Sequence, residues 1–96
     1  MRNLLNLNIV KTEYRKWIGQ RLKYFRILAK MTVGQVADAI AMNRKTYCHY
    51  EDGYTLPSII TLKSICEVFA TSLDNFMEGS PSKEVSSVSQ FEPPIN

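Results

Sequence analysis

Two helix-capping residues eleven positions apart, Thr32 and Asn43, constrain this chain more than any other feature. In the segment MTVGQVADAIAMNRKTYCHYEDG, Met31 to Gly53, they leave room only for two short helices joined by a tight turn. The first carries an apolar stripe of Val36, Ala37 and Ile40, and the second a stripe of Tyr47 and Tyr50 at i, i+3, so both must pack inward. The opposite face of the second helix pairs Arg44 with Cys48 and Lys45 with His49 at i, i+4. The result is an outward cationic ridge about two turns long.

The flanking sequence supplies a body for this pair. From about Glu13 to Ala29, Trp17, Ile18, Leu22, Phe25 and Ala29 follow a helical stripe interleaved with Arg15, Lys16, Arg21, Lys23 and Arg26. Gly53 stops the ridge helix, Tyr54 to Pro57 forms a loop, and Ser58 caps a fourth helix whose stripe is Ile59, Leu62, Ile65, Cys66 and Phe69. Ser72 opens a brief fifth helix through Leu73, Phe76 and Met77, ended by Gly79 and Pro81. Residues 1–12 place Leu5, Leu7 and Ile9 on one parity and Asn6 and Asn8 on the other, which predicts a short strand or an extended arm. Residues 79–96, rich in Ser and Pro, read as a flexible tail. The expected organisation is an all-α domain over 13–78, with the helix pair at about 32–51 and an arm at each end.

Ninety-six residues allow one small core and not two. The formal charge of +3 conceals a gradient: residues 1–30 sum to +7, 31–60 to −1 and 61–96 to −3. Such asymmetry fits a molecule that turns one side to a polyanion, and equally fits a solvated cationic helix face. Cys48 and Cys66 stand on separate predicted helices without a CxxC, so no disulfide framework or metal set is expected. The N-terminal segment is too short and too polar for a signal peptide or a membrane span, and a reducing cytoplasm is the expected location.

From about Ile18 to Met77 the chain resembles the lambda-repressor-like helix-turn-helix regulators of bacteria and phage, the Cro and xenobiotic-response-element type. The elements that carry the likeness are IGQRLKYFR, Thr32 with Val36-Ala37, Asn43-Arg44-Lys45-Thr46, Glu51-Asp52-Gly53, Pro57-Ser58, Leu62 with Ile65, and Ser72-Leu73-Asp74, in ungapped order. The resemblance implies a five-helix domain that binds double-stranded DNA, with the third helix in the major groove, where each base pair shows its own donors and acceptors. On that reading Arg44 is the leading candidate for a bidentate contact to guanine. Lys45 takes a base or a phosphate, and Asn43, Thr46 and His49 reach bases or backbone. Thr32, Gln35, Tyr54 and Thr55 hold phosphates. For His49 an ordinary solvated surface histidine is the competing reading, and for Cys48 a plain helix-surface residue is favoured over a redox sensor. The resemblance also implies an ion pair between Arg26 and Glu51, a structural brace and not a DNA contact. Two departures stand out. Val33 replaces the usual phosphate-clamping Gln, and Ala41 replaces the usual turn Gly, at a cost of about 1 kcal/mol if φ is positive.

The leading functional reading is a sequence-specific transcription regulator, a dimeric repressor on a palindromic operator, with the dimer surface on the fourth and fifth helices near Phe76 and Met77 or on either arm. The second reading uses the same fold as an antitoxin or protein-interaction module whose tail binds a protein partner. An enzyme is excluded by a single His, no glycine-rich phosphate loop and no metal-spaced ligands, and no cofactor is expected.

Overall fold

The computed structural model describes residues 2–81, with side chains from residue 11 onward. Five helices follow in order: α1 (Arg2–Leu28), α2 (Val33–Ala39), α3 (Arg44–Glu51), α4 (Ile59–Val68) and α5 (Leu73–Phe76). All regular structure among the described residues is helical, as the sequence predicts for residues 13–78. No helix among them is long and apolar enough to cross a membrane.

Helices α2 to α5 each begin on the residue expected to cap them. The Thr32 hydroxyl oxygen accepts from the Gln35 N–H at 3.1 Å, and the Asn43 amide oxygen from the Lys45 N–H at 2.7 Å. Ser58 and Ser72 accept from Thr61 and Asn75 at 3.1 and 3.0 Å. Each such cap is worth about 1 kcal/mol. The helix ends share a second device. After α1, α2, α3 and α4 the chain turns left-handed at Lys30 (φ 58°), Ala41 (φ 54°), Gly53 (φ 80°) and Ala70 (φ 58°). The next N–H then reaches back to a carbonyl in the last turn: Met31 to Arg26, Met42 to Ala37, Tyr54 to His49 and Thr71 to Cys66, at 2.8–3.1 Å. Glycine occupies only one of these four positions.

The expectation of a strand or extended arm over residues 1–12 is corrected, because α1 begins at Arg2 and runs unbroken to Leu28. The alternation of Leu5, Leu7 and Ile9 has the period of a strand, yet no Gly or Pro stands before Gly19. Once the packed turns around Trp17 to Phe25 exist, each added residue gains a hydrogen bond without a new nucleation cost. The tail expected over 79–96 lies outside the described residues beyond 81.

The core gathers Ile18 and Leu22 from α1, Val36 and Ala37 from α2, Tyr47 and Tyr50 from α3, Leu62, Ile65, Cys66 and Phe69 from around α4, and Phe76 from α5. Two stripe assignments and one candidate for the dimer surface differ from expectation. Ile59 opens α4 in a first turn that stands clear of the body and is 62% exposed, and Ala29, past the end of α1, is also exposed. Phe76, considered as part of a dimer surface, is fully buried, and Met77 is half-buried. Phe76 is enclosed by aromatic neighbours, with Trp17 edge-on at 6.5 Å and Phe25 stacked at 5.5 Å.

Two contacts of α1 fix where the other helices lie. At Gly19, α1 meets the C-terminal end of α3 backbone to backbone. A Cβ there would collide with the Glu51 carbonyl oxygen and lie 2.8 Å from that of Tyr50. Arg21 ties α1 to α5: its Nε and Nη2 donate to the carbonyls of Phe76 and Asn75, both at 2.8 Å. The same guanidinium lies 5.0 Å from the Phe25 ring centre and 5.2 Å from that of Trp17.

Candidate nucleic-acid interface

Helix α3 is anchored by its inner face and its C-terminal end. Tyr47 is fully buried and meets Tyr50 edge-on at 6.4 Å. Burial, with the Glu51 carboxylate nearby, pushes the Tyr47 phenol far above the ordinary tyrosine range, so it stays neutral. Its hydroxyl finds no aligned hydrogen-bond partner among the described residues. At the C-terminal end, Arg26 Nε donates to Glu51 Oε2 at 2.7 Å and Nη2 to Oε1 at 3.2 Å, while Nη1 donates to the Met31 carbonyl at 3.1 Å. The two side chains are only 15% and 9% exposed. The hydrogen bond to Glu51 raises the guanidinium's pKa against the opposing effect of burial, so Arg26 stays charged. Arg26 therefore sits where the resemblance implied, bonded to protein groups.

The N-terminal end of α3 is the contrast. Asn43, Arg44, Lys45 and Thr46 are all exposed. Asn43 caps the helix with its amide oxygen. Arg44 leans back across α2, with its guanidinium resting against Gly34. The outward row expected along α3 divides in two. Arg44 and Lys45 are exposed, whereas Cys48 and His49 one turn later are half-buried. The His49 ring lies 5.4 Å from that of Tyr54, which is 69% exposed, so the two form an aromatic step at the helix exit beside exposed Thr55. Gly53, at that exit, packs against the backbone of Arg15 and Lys16 of α1, which brings two of α1's cations to the same edge.

Thr32 and Gln35 open α2 and are bonded to each other. The Gln35 side-chain amide oxygen, Oε1, accepts from the Thr32 N–H at 2.8 Å, reciprocating the cap. Both are exposed, so a backbone contact there would use the donor hydrogens that the cap does not require. Val33 is half-buried and packs against the core, with no polar group to present. Ala41 holds the left-handed turn expected at its position. Both cysteines are free, and burial pushes the Cys66 thiol up, which makes it an inert core residue.

The structure thus brings Thr32, Gln35, Asn43, Arg44, Lys45 and Thr46 together at the ends of α2 and α3, and sets His49, Tyr54 and Thr55 apart at the far end of α3. Three residues at these junctions escaped the sequence reading: Gly19, Gly34 and Arg21. The two glycines carried a usable signal, since an isolated glycine inside a helical pattern marks close packing. Arg21 carried none, because nothing local separates it from its solvated neighbours.

Residues 22–76, more than half of the chain, match the family model described as helix-turn-helix. Among solved structures, the crystal structure of the clp gene regulator ClgR from Corynebacterium glutamicum is similar, with a TM-score of 0.68 over 84% of this chain and 86% of that one. At 20% identity that likeness concerns the fold. No curated protein matches the chain.

Proposed function

Because this chain belongs to the helix-turn-helix family of Cro and xenobiotic-response-element type, a family of DNA-binding transcription regulators, we propose that it is a dimeric repressor that reads a palindromic operator through the major groove. One observation carries the reading: α3 is locked to the body at its C-terminal end and presents exposed Arg44 and Lys45 at the other. Arg44 reads a guanine edge, Lys45 a base or phosphate, and Asn43 and Thr46 the adjoining backbone. Thr32, Gln35, Tyr54 and Thr55 hold phosphates on either side, with His49 behind them.

A single reading helix spans too few base pairs to select one site in a genome, whereas two on half-sites about 34 Å apart multiply the discrimination. The surface we assign to a second copy is Leu56, Ile59 and Ile60, which are 44%, 62% and 76% exposed. The stretch from Tyr54 to Leu62 holds no charged side chain, so a self-matching contact there opposes no like charges. A second exposed apolar group among the described residues, Tyr24, Ile27 and Leu28, is flanked by Lys23 and Lys30, which would repel across a two-fold axis.

The deciding experiment is selection of bound fragments from a random DNA pool, with affinity then measured against salt. A palindromic motif and a steep fall in affinity with rising salt are expected. No enrichment and a flat salt response would overturn the reading in favour of a protein-interaction module. Ile60→Glu should yield monomers in sedimentation and weaken operator binding at least tenfold without lowering Tm. An unchanged mass would move the dimer surface elsewhere.

A further inference from the structure

Helix α2 holds a glycine, Gly34, at its second position, where no turn and no positive φ requires one. Alanine is the better helix former, so the reason is spatial. Gly34 is buried in a segment whose neighbours Thr32 and Gln35 are exposed, and Arg44 from α3 lies over it. A Cβ at Gly34 would collide with Arg44 Nη2 and lie 2.9 Å from Cζ and 3.0 Å from Nε. The guanidinium therefore occupies the space that any other residue's side chain would fill.

Arg44 is otherwise uncommitted. Among the described residues its guanidinium makes no hydrogen bond and no ion pair, whereas Arg21 and Arg26 are bonded to carbonyls and a carboxylate. Its guanidinium is held by contact against Gly34 without a hydrogen bond, so its N–H donors stay unpaired. That combination is what preorganised recognition requires, since a long side chain ordered before binding loses less freedom when it meets its target.

We propose that Gly34 is a positioning residue for Arg44: the missing Cβ forms a seat that holds the guanidinium between α2 and α3, ready for the paired acceptors of a guanine edge. The inference rests on the reading of α3 as the DNA-reading helix. With the seat filled, the guanidinium is released to solvent and to phosphates, and the preference at that base pair relaxes while general attraction to DNA stays.

The substitution Gly34→Ala isolates this effect. Its methyl group first meets the far end of a flexible side chain, and alanine favours the helix, so Tm should hold or rise. Two probes are needed: the duplex that the wild-type chain enriches from a random pool, and a shuffled duplex of the same composition. Affinity for the enriched duplex should fall about fivefold, with affinity for the shuffled one held within about twofold. In an Arg44→Ala background, alanine at position 34 should change neither. An unchanged ratio of the two affinities, or an equal fall in the Arg44→Ala background, would overturn the seat alone. A wild-type chain that enriches no duplex would overturn the DNA-reading assignment and the seat with it.

Discussion

Arginines on α1 and on α3 have opposite fates in this molecule. Arg21 and Arg26 are bonded to the protein's own acceptors, one at the end of α5 and the other at Glu51 on α3. Arg44 rests on α2 with its donors free among the described residues. The +7 of the first thirty residues therefore overstates what that region offers to a polyanion, while the slightly acidic middle third holds Arg44 and Lys45, both exposed. What a charge can do for binding depends on whether the fold already uses it.

The largest effect should come from breaking the braced side. Arg26→Ala leaves the Glu51 carboxylate, 9% exposed, without its partner, and is expected to cost about 3 kcal/mol. For a domain of this size that is a fall in Tm of about 15 °C, read by thermal denaturation. A small fall in Tm with a large loss of DNA affinity would place Arg26 on the binding face and erase the contrast. Next comes the free side. Arg44→Ala should leave Tm within about 2 °C and cost about 1–3 kcal/mol on the enriched duplex, with relaxed preference at one base position. Equal loss on enriched and shuffled duplexes would make Arg44 a general phosphate contact. The smallest effect concerns the corner between α2 and α3. Ala41→Gly removes a left-handed alanine and should raise stability by up to about 1 kcal/mol, partly offset by the greater freedom of glycine in the unfolded chain. A lowered Tm there would mean that the alanine methyl contributes packing that outweighs the strain.

Much of this was legible because the relevant forces are local. Thr32, Asn43, Ser58 and Ser72 cap through atoms two or three residues away, and Tyr47 and Tyr50 face inward by helical period alone. The pairing of Arg26 with Glu51 came from family resemblance, since a partner 25 residues away leaves no local trace. Where two local signals competed, the sequence misled. The alternating parity of Leu5, Leu7 and Ile9 lost to propagation of a helix already paid for by packing further along. The exposure of Ile59 and the enclosure of Phe76 depend on how α4 and α5 sit against α1, which period cannot reveal. The division of the α3 ridge into an exposed cationic end and a half-buried aromatic end is likewise invisible to period, because it depends on what the rest of the chain packs against each turn.

Gly19 has a consequence that reaches beyond its own helix. Because a single hydrogen there faces the rigid carbonyls at the end of α3, the height at which α3 stands above its support is set 25 positions away from Arg44, by an atom that is absent. A methyl group at 19 would lift the whole rod, and every contact along it would shift in concert. At 34 the same methyl would disturb one flexible tip. The chain thus separates two kinds of sensitivity: one glycine guards the architecture, and the other is where its preference for a partner can be retuned while the scaffold survives.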